Sequence, residues 1–258
     1  MPARIVFATN KGGVGKSSST AICAEILAEA GYKVLAVDLD SQGNLTRILT
    51  GKSKYQFRGQ TIMEAIQENN AAAYVQEIKE GLHLIPAEDN LATFSKHIYT
   101  TKINNPQATL KRTLEPIENH YDFVFIDVSP SLGDTVFNAI VYVDNVIIPV
   151  DSGDLGMDAL VGFQEFIESA KTEGHTKAEI LGILLTMRDS RSRYERDISE
   201  GIRAAYGDLV FQTEIRRRVK LKEMSAGGVN IVSEAMEDYM ALAEEILERV
   251  NRKENHHE

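Results

Sequence analysis

A glycine-rich segment near the start of the chain holds the residues best suited to chemistry. Residues 11–18 read KGGVGKSS and follow a short apolar run over residues 5–8. A strand that leads through such a loop into a helix presents backbone N–H groups and the positive helix end to a phosphate. We therefore predict a phosphate-binding loop, in which Lys16 contacts the β- and γ-phosphates of a nucleotide and the Ser17 hydroxyl binds Mg²⁺.

The loop departs from the common pattern G-x-x-x-x-G-K-[ST] in a specific way. Asn10 stands where that pattern has its first glycine, and Lys11 adds a second lysine at the front of the loop. A ligand-free glycine turn is the alternative, but a complete loop with both lysines rarely arises in such a turn. The predicted nucleotide contacts in this loop are Lys11, Gly12, Gly13, Val14, Gly15, Lys16, Ser17 and Ser18.

Two aspartates follow apolar runs farther along the chain. Asp40 comes just after a predicted second strand, and Asp127 ends the run Phe-Val-Phe-Ile over residues 123–126. The carboxyl ends of parallel strands share one edge of a sheet, so both carboxylates are expected beside the phosphate loop. We predict that Asp40 orients a water for in-line attack and that Asp127 holds Mg²⁺ through a water. Each aspartate could instead simply cap the helix that follows it.

Short β-branched runs alternate with helical patterns along most of the chain. This alternation predicts an α/β fold, with a mostly parallel, twisted β-sheet and helices on both faces. The phosphate loop with two lysines makes the expected fold one of the deviant P-loop NTPase kind. The predicted strands span residues 4–8, 33–38, 82–86, 122–127, 145–150, 180–187 and 209–213. The predicted helices include residues 16–30, 109–120, 154–172, 192–206 and about 233–251. Residues 50–101 are the least regular part and are expected to form helices and loops that decorate the sheet.

The composition narrows the class of protein. Hydrophobic residues make up 43% and charged residues 26% of the 258 residues, which is typical of a globular protein. Cys23 is the only cysteine, so a disulfide within the chain and a cysteine-held iron–sulfur cluster are both excluded. The first strand is expected at residue 4 without a preceding signal peptide, and no apolar run reaches the length of a membrane span. We therefore expect a cytoplasmic protein.

Three segments together resemble the signature motifs of the ParA/Soj-like partition ATPases, in the MinD/ParA group of deviant Walker A ATPases. These are residues 11–18, 38–44 and 127–133. Ser41 and Ser129 stand where the family usually has proline. Residues 186–192 and 215–223 resemble later segments, although Arg216 and Arg218 replace the usual proline and asparagine. The resemblance extends over residues 4–250 and implies one ParA-type P-loop ATPase domain over residues 1–251, and we expect a disordered polar tail over residues 252–258.

The resemblance implies an ATP-dependent homodimer that hydrolyses ATP slowly. Lys11 would reach the phosphates of the partner's nucleotide, so the implied catalytic residues are Lys11, Lys16 and Asp40. Met187, Ile215 and Arg217 are expected on the adenine side of the pocket. The ATP-bound dimer would bind DNA without sequence preference at the nucleoid. A ParB-like centromere-binding protein would stimulate hydrolysis, and the cycle would segregate plasmid or chromosomal DNA.

A net charge of −10 disfavours nucleic-acid binding unless the basic residues are clustered, and here they are. Two dense basic runs follow predicted strands, which could place them on one side of the sheet. The predicted DNA contacts are Arg188, Arg191, Arg193, Arg216, Arg217, Arg218, Lys220 and Lys222. The alternative is a solvated surface, or arginines that contact nucleotide phosphates instead.

Two related functions remain as alternatives. A MinD-like membrane-cycling ATPase would need an amphipathic C-terminal helix with lysines and large apolar residues. Residues 242–250 read LAEEILERV, which is acidic and more typical of a helix that packs on the core. An ATPase that positions a protein cargo on the nucleoid instead of DNA is the second alternative, and the sequence does not distinguish it.

Overall fold

Eight strands form one sheet in the computed structural model, which describes residues 1–101, 103–151, 156–188, 192–216 and 236–255. The strands are β1 Ala3–Phe7, β2 Val34–Leu39, β3 Gln76–Lys79, β4 Leu82–Ile85, β5 Phe123–Val128, β6 Asn145–Asp151, β7 Glu179–Arg188 and β8 Val210–Arg216. Their order is β3-β4-β2-β5-β1-β6-β7-β8, and only the β3–β4 pair is antiparallel. The predicted α/β class with a mostly parallel sheet is confirmed.

Helices cover both faces of this sheet. Within the described residues the α-helices are α1 Lys16–Glu29, α2 Asn44–Thr50, α3 Ile62–Glu68, α4 Phe94–Thr100, α5 Thr109–Glu118, α6 Asp134–Tyr142, α7 Gly156–Thr172, α8 Arg193–Tyr206 and α9 Glu237–Asn255. Helices α1, α2 and α9 pack on one face of the sheet, and α3 to α8 pack on the other. Strands β2 and β5 are buried along their whole length, as the uninterrupted apolar runs predict for strands covered on both sides.

The register of the central strands brings their carboxyl ends together. Phe7 at the end of β1 pairs with Asp127 of β5, and Asp38 of β2 pairs with Asp127 from the other side. Strand β6 lies on the opposite side of β1 and ends at Asp151. The loop that leaves β1 therefore has carboxylates from three neighbouring strands around it.

The irregular region contains a strand that the sequence analysis missed. Strand β3 has four residues, contains no fully buried side chain and pairs with β4 through an irregular register. A short, polar edge strand shows almost no alternation of apolar and polar residues, so the sequence did not predict β3. The turn into β4 uses Gly81 at φ +78°, a left-handed conformation that glycine adopts without strain.

The chain end also differs from the prediction. Helix α9 continues through Asn255, so the disordered tail expected from residue 252 is wrong as far as Asn255. The reason is a set of tertiary contacts: Lys253 donates hydrogen bonds to the Asp144 carbonyl and to Asn145 Oδ1, and it pairs with Glu179. Residues 256–258 lie outside the described residues.

Apolar residues of α9 lie in the core of the protein. Leu242 and Ile246 are fully buried, and Tyr239 packs with them against α1. The face that a membrane-binding helix would present to lipid is thus used for packing. In the described parts of the chain, every helix is too short or too polar to cross a membrane.

Candidate nucleotide-binding site

The loop between β1 and α1 has the backbone geometry of an anion cradle. Gly13 and Gly15 adopt φ values of +77° and +84°, which a residue with a side chain adopts only with strain. Helix α1 begins directly after Gly15, which has no side chain to cap the first N–H groups. Those N–H groups and the positive helix end therefore face the loop, where a phosphate would satisfy them.

Lys16 is the buried cation of the loop. Lys16 is only 7% exposed, and its ammonium donates a hydrogen bond of 2.8 Å to the Lys11 carbonyl. Burial lowers the pKa of Lys16, while the charges of Asp127 and Asp40 act in the opposite direction. The Lys16 side chain thus contacts the front of its own loop and interacts with the carboxylates of Asp127 and Asp40.

Asp127 is the most unusual group of the site. It is completely buried, and within the described parts of the chain neither of its carboxylate oxygens has a hydrogen-bond partner. Burial raises its pKa well above the ordinary range, and the charge of Asp38 adds to the shift. Weaker interactions with the Ser17 hydroxyl and with Lys16 oppose it. A buried carboxylate without a partner is costly, and a cation is the natural ligand for it.

Asp40 lies in a tight turn after β2. Its backbone carbonyl accepts a hydrogen bond of 2.9 Å from the Gly43 N–H, and its Oδ1 accepts one of 2.9 Å from the Gln42 N–H. The residue is 7% exposed and lines the cavity described below. Its carboxylate is thereby held in one orientation at the mouth of the phosphate loop.

Asp38 supports this turn, and the sequence analysis assigned it no role. Its Oδ1 accepts a hydrogen bond from the Asp40 N–H, and its Oδ2 accepts bonds from the N–H and the hydroxyl of Thr46. Burial raises the pKa of Asp38 to about 6, although these hydrogen bonds oppose the shift. The spacing Asp-Leu-Asp was the available signal, because an aspartate inside an apolar strand needs a local partner.

Lys16 and Asp40 line a cavity of about 430 Å³ at the carboxyl edge of the sheet, whereas the fully buried Asp127 and Asp38 are not among its lining residues. The residues that line it are Gly12, Gly13, Gly15, Lys16, Ser17, Ser18, Asp40, Gln42, Asn44, Arg47, Ile48, Val128, Pro130 and Met187. The cavity thus brings together most of the predicted loop contacts and Asp40. A larger hollow of about 1050 Å³ lies near the amino ends of the strands, but none of the predicted nucleotide contacts lines it.

Val14 and Lys11 belong to the loop but do not line this cavity. Val14 is buried in the protein core, with 1% exposure. The Lys11 ammonium forms an ion pair of 2.6 Å with Asp151 Oδ1 at the end of β6, and both side chains are about one-quarter exposed. Asp151 was not predicted, because it lies 140 residues from Lys11 and only the strand order brings the two together.

Of the three residues predicted on the adenine side, the structure describes Met187 and Ile215, and of these two Met187 lines the cavity. The backbone of Met187 adopts a left-handed conformation, at φ +56°. Its Cε lies 3.3 Å from the position that a Cβ on Gly15 would occupy. Ile215 is instead packed in the core, at 1% exposure, so the structure does not support a side-chain contact with a nucleotide. Arg217 lies outside the described residues.

The basic residues predicted to bind DNA are only partly described. Arg188 and Arg216 are register partners at the ends of β7 and β8, and Arg193 is exposed at the start of α8. The Arg216 guanidinium forms an ion pair with Asp238, so its charge is neutralised within the chain and it is a weaker candidate than predicted. Arg191, Arg217, Arg218, Lys220, Lys222 and the side chain of Arg188 lie outside the described residues.

Replacing Asp127 with asparagine is expected to stabilise the ligand-free protein. The substitution replaces a buried carboxyl group, whose ionisation burial disfavours, by a neutral amide of the same shape, and we expect a gain of about 1–3 kcal/mol. In thermal unfolding this gain would raise the midpoint by roughly 2–8 °C. Because the pKa of Asp127 is raised in the folded state, its cost is present at high pH and fades as pH falls toward the ordinary carboxyl value. The difference between variant and wild type should therefore shrink in acid.

The exposed Asp208 provides the matched control, since Asp208→Asn removes a solvated charge and should leave the midpoint unchanged. A lower midpoint for Asp127→Asn than for wild type would contradict the prediction. It would show that the carboxylate of Asp127 is stabilised by its surroundings instead of being strained by them.

Comparisons with known proteins find relatives along nearly the whole chain. The profile of a family described as an AAA domain matches residues 3–180. The chromosome-partitioning ATPase Soj of Thermus thermophilus is 32% identical over 252 residues, which is 96% of either chain. The family match includes the phosphate loop and strand β5, which contains Asp127.

Solved structures share the whole fold. A plasmid partition protein from Borrelia burgdorferi bound to AMPPNP has a TM-score of 0.82 at 28% identity and covers 98% of this chain and 100% of its own. A cobyrinic acid a,c-diamide synthase from Mycobacterium smegmatis with bound ADP and magnesium has a TM-score of 0.82 at 27% identity, over 97% and 96% of the two chains. The family resemblance that the three motifs indicated is confirmed by similarity along nearly the full length of the chain. The chain belongs to the ParA/Soj family of partition ATPases.

Proposed function

We propose that this ATPase is a Mg²⁺-dependent switch that dimerises with ATP and binds DNA without sequence preference. With a ParB-like centromere-binding partner that stimulates hydrolysis, it would segregate plasmid or chromosomal DNA. The observation that carries the proposal is the convergence of Lys16, Asp40 and Asp127 at the phosphate loop of a partition-family chain.

The residues around the loop fit both ATP and Mg²⁺. The N–H groups at the start of α1 and the Lys16 ammonium would bind the phosphates. Hard oxygen donors are the ligands that Mg²⁺ prefers, and the Ser17 hydroxyl and the unpartnered Asp127 carboxylate supply them. Bound there, the ion would neutralise negative charge on the β- and γ-phosphate oxygens. The Asp40 carboxylate, held at the cavity mouth, would orient the attacking water.

The proposed dimer gives a role to Lys11. Gly12 and Gly13 are exposed at the tip of the loop, so a second copy of the chain can approach the phosphates closely. Lys11 would leave Asp151 and contact the phosphates of the partner's nucleotide, where a cation stabilises transition-state charge. Because Asp151 and the phosphates compete for one ammonium, Lys11 would be free to cross only when the dimer forms.

DNA binding rests on the basic residues at the β7 and β8 ends. The register of Arg188 with Arg216 places both strand ends at the same edge, near the exposed Arg193. A dimer doubles any such patch, and contacts between arginine or lysine and phosphate give sequence-independent affinity that falls with salt. The Arg216–Asp238 pair removes one charge from this patch, so Arg193 is the contact that the described residues favour.

The proposal is tested by binding to a non-specific DNA duplex with no nucleotide, with ADP, and with ATP plus Mg²⁺. Asp40→Ala protein holds the ATP state during the measurement. We expect binding only with ATP, and affinity that weakens steeply as salt rises. Arg193→Ala should flatten the salt slope by about one unit if it contacts one phosphate. Arg252→Ala, in an exposed helical ion pair with Glu248, is the control and should not change the slope.

Other outcomes of this test separate the alternatives. Absence of DNA binding in every nucleotide state would contradict the proposed DNA tether. Liposome binding with ATP would then support a MinD-like cycle, although the buried apolar face of α9 argues against it. DNA binding with ATP, but without effect on inheritance of a plasmid or chromosome in cells, would favour positioning of a protein cargo.

A further inference from the structure

We propose that Lys54 is a positioning residue for Asp40. Lys54 begins the 3-10 turn Lys54–Phe57, fourteen residues after the aspartate, and is not among the described residues that line the cavity. It contacts Ser41 and Gly43 of the turn formed by residues 40–43, which we call the Asp40 turn. This inference rests on the proposed role of Asp40 in orienting water, and it adds the group that keeps the turn in place.

The polar end of Lys54 bridges the Asp40 turn and the segment after β4. Its ammonium donates a hydrogen bond of 2.7 Å to the Ser41 carbonyl and also pairs with Asp89. The Lys54 side chain is only 13% exposed, although it carries a charge. Holding a long, flexible side chain in one conformation costs rotamer entropy. The hydrogen bond and the ion pair of Lys54 must therefore offset this cost.

The aliphatic stem of Lys54 covers the other end of the same turn. A Cβ placed on Gly43 would lie 2.8 Å from Lys54 Cβ and 3.0 Å from Lys54 Cδ, and Gly43 adopts φ +65°. Glycine is therefore required for both its conformation and the close approach. Lys54 holds the carbonyl at one end of the turn and packs against the backbone at the other.

The sequence of the Asp40 turn does not by itself restrict the backbone to one conformation. Between Asp40 and α2 the chain has serine, glutamine and glycine, and none of them fixes φ as a proline would. Asp38 and Thr46 anchor the two flanks of the turn through side-chain hydrogen bonds. Lys54 anchors the part between them, which includes the N–H of Gln42 that orients the Asp40 carboxylate.

The ion pair between Lys54 and Asp89 is expected to contribute little to the free energy of unfolding. Asp89 is 54% exposed, and exposed ion pairs stabilise proteins only slightly. Loss of Lys54 should therefore affect the placement of Asp40 more than the fold. Small displacements of a catalytic group reduce turnover strongly, because the reacting atoms must meet in a narrow geometry.

The experiment compares Lys54→Met, which keeps the stem but removes the ammonium, with Lys54→Arg and the exposed control Lys52→Met. We expect Lys54→Met to lower kcat by roughly 10-fold and to leave the affinity for a non-hydrolysable ATP analogue within about 2-fold. Lys54→Arg should recover part of the loss, since a cation is restored. Lys52→Met should retain wild-type turnover and affinity.

A double-mutant cycle with Asp40→Ala distinguishes positioning from a general loss of stability. If Lys54 acts through Asp40, Lys54→Met should cause no further loss in the Asp40→Ala background. Wild-type turnover of Lys54→Met, or an equal loss with and without Asp40, would overturn the inference. Retention of turnover by Asp40→Ala alone would instead contradict the proposed role of Asp40, whatever Lys54 does.

Discussion

Lys16→Ala is expected to weaken ATP binding by at least about 100-fold, because a charge-assisted contact with phosphate is worth roughly 3 kcal/mol. Lys16 is the buried cation of the site, and the cavity also contains the carboxylate of Asp40. Without the lysine, the phosphates would lose their buried cation and would still lie in the cavity that Asp40 lines. Equilibrium titration with a fluorescent ATP analogue in the presence of Mg²⁺ measures the effect.

Two further variants make the result specific. Lys16→Gln keeps an amide that can donate to the Lys11 carbonyl, so it preserves the loop contact while it removes the charge. We expect it to lose ATP affinity nearly as strongly as Lys16→Ala. Lys177→Ala removes an exposed lysine and should bind ATP as the wild type does. ATP affinity within about 10-fold of wild type for both Lys16 variants would show that backbone N–H groups dominate phosphate binding.

The parts of this site that sequence reasoning predicted are those that local patterns specify. A glycine-rich loop after an apolar strand determines where Lys16 and Ser17 lie, because the strand, loop and helix are consecutive. Asp40 and Asp127 were predictable for a similar reason. Asp40 directly follows the buried strand β2 and Asp127 is the next-to-last residue of the buried strand β5, and parallel strands end at the same edge of the sheet.

The groups that sequence reasoning missed depend on contacts between distant segments. Asp151 meets Lys11 because β6 lies beside β1 in the sheet order, which the order of elements along the chain does not determine. Lys54 reaches the Ser41 carbonyl from a short 3-10 turn in the region predicted as irregular. From sequence alone, a lysine in such a region is expected to be exposed to solvent. The fold shows that the Lys54 side chain is only 13% exposed.

The carboxylates of the site have different environments, and this difference suggests how ligand binding and stability are coupled. Asp40 accepts a backbone hydrogen bond at the cavity wall, whereas Asp127 is buried without a partner in the described part of the chain. Asp38 has hydrogen bonds but is still buried next to both. A cation bound beside Asp127 would relieve the least favourable of these groups. Strain of this kind is typical of sites that bind a ligand and is relieved on binding.

Asp40→Ala is expected to lower ATP hydrolysis by roughly 100- to 1000-fold while ATP binding is retained, because a positioned base or water-orienting group contributes about that much. The phosphate contacts of the loop do not involve Asp40. Its carboxylate accepts a hydrogen bond from the Gln42 N–H, so Asp40→Asn would keep the shape of the side chain without the charge. Phosphate release under single-turnover conditions, with ATP binding measured on the same samples, separates chemistry from affinity.

The two Asp40 variants distinguish a chemical role from a structural one. If the charge of Asp40 orients the water, Asp40→Asn should lose nearly as much turnover as Asp40→Ala. If the residue only closes its turn, Asp40→Asn should retain most of the activity, because the Gly43 N–H bonds the backbone carbonyl and not the side chain. Full turnover in both variants would remove Asp40 from the reaction. Another carboxylate near the loop, such as Asp127, Asp38 or Asp151, would then have to orient the water.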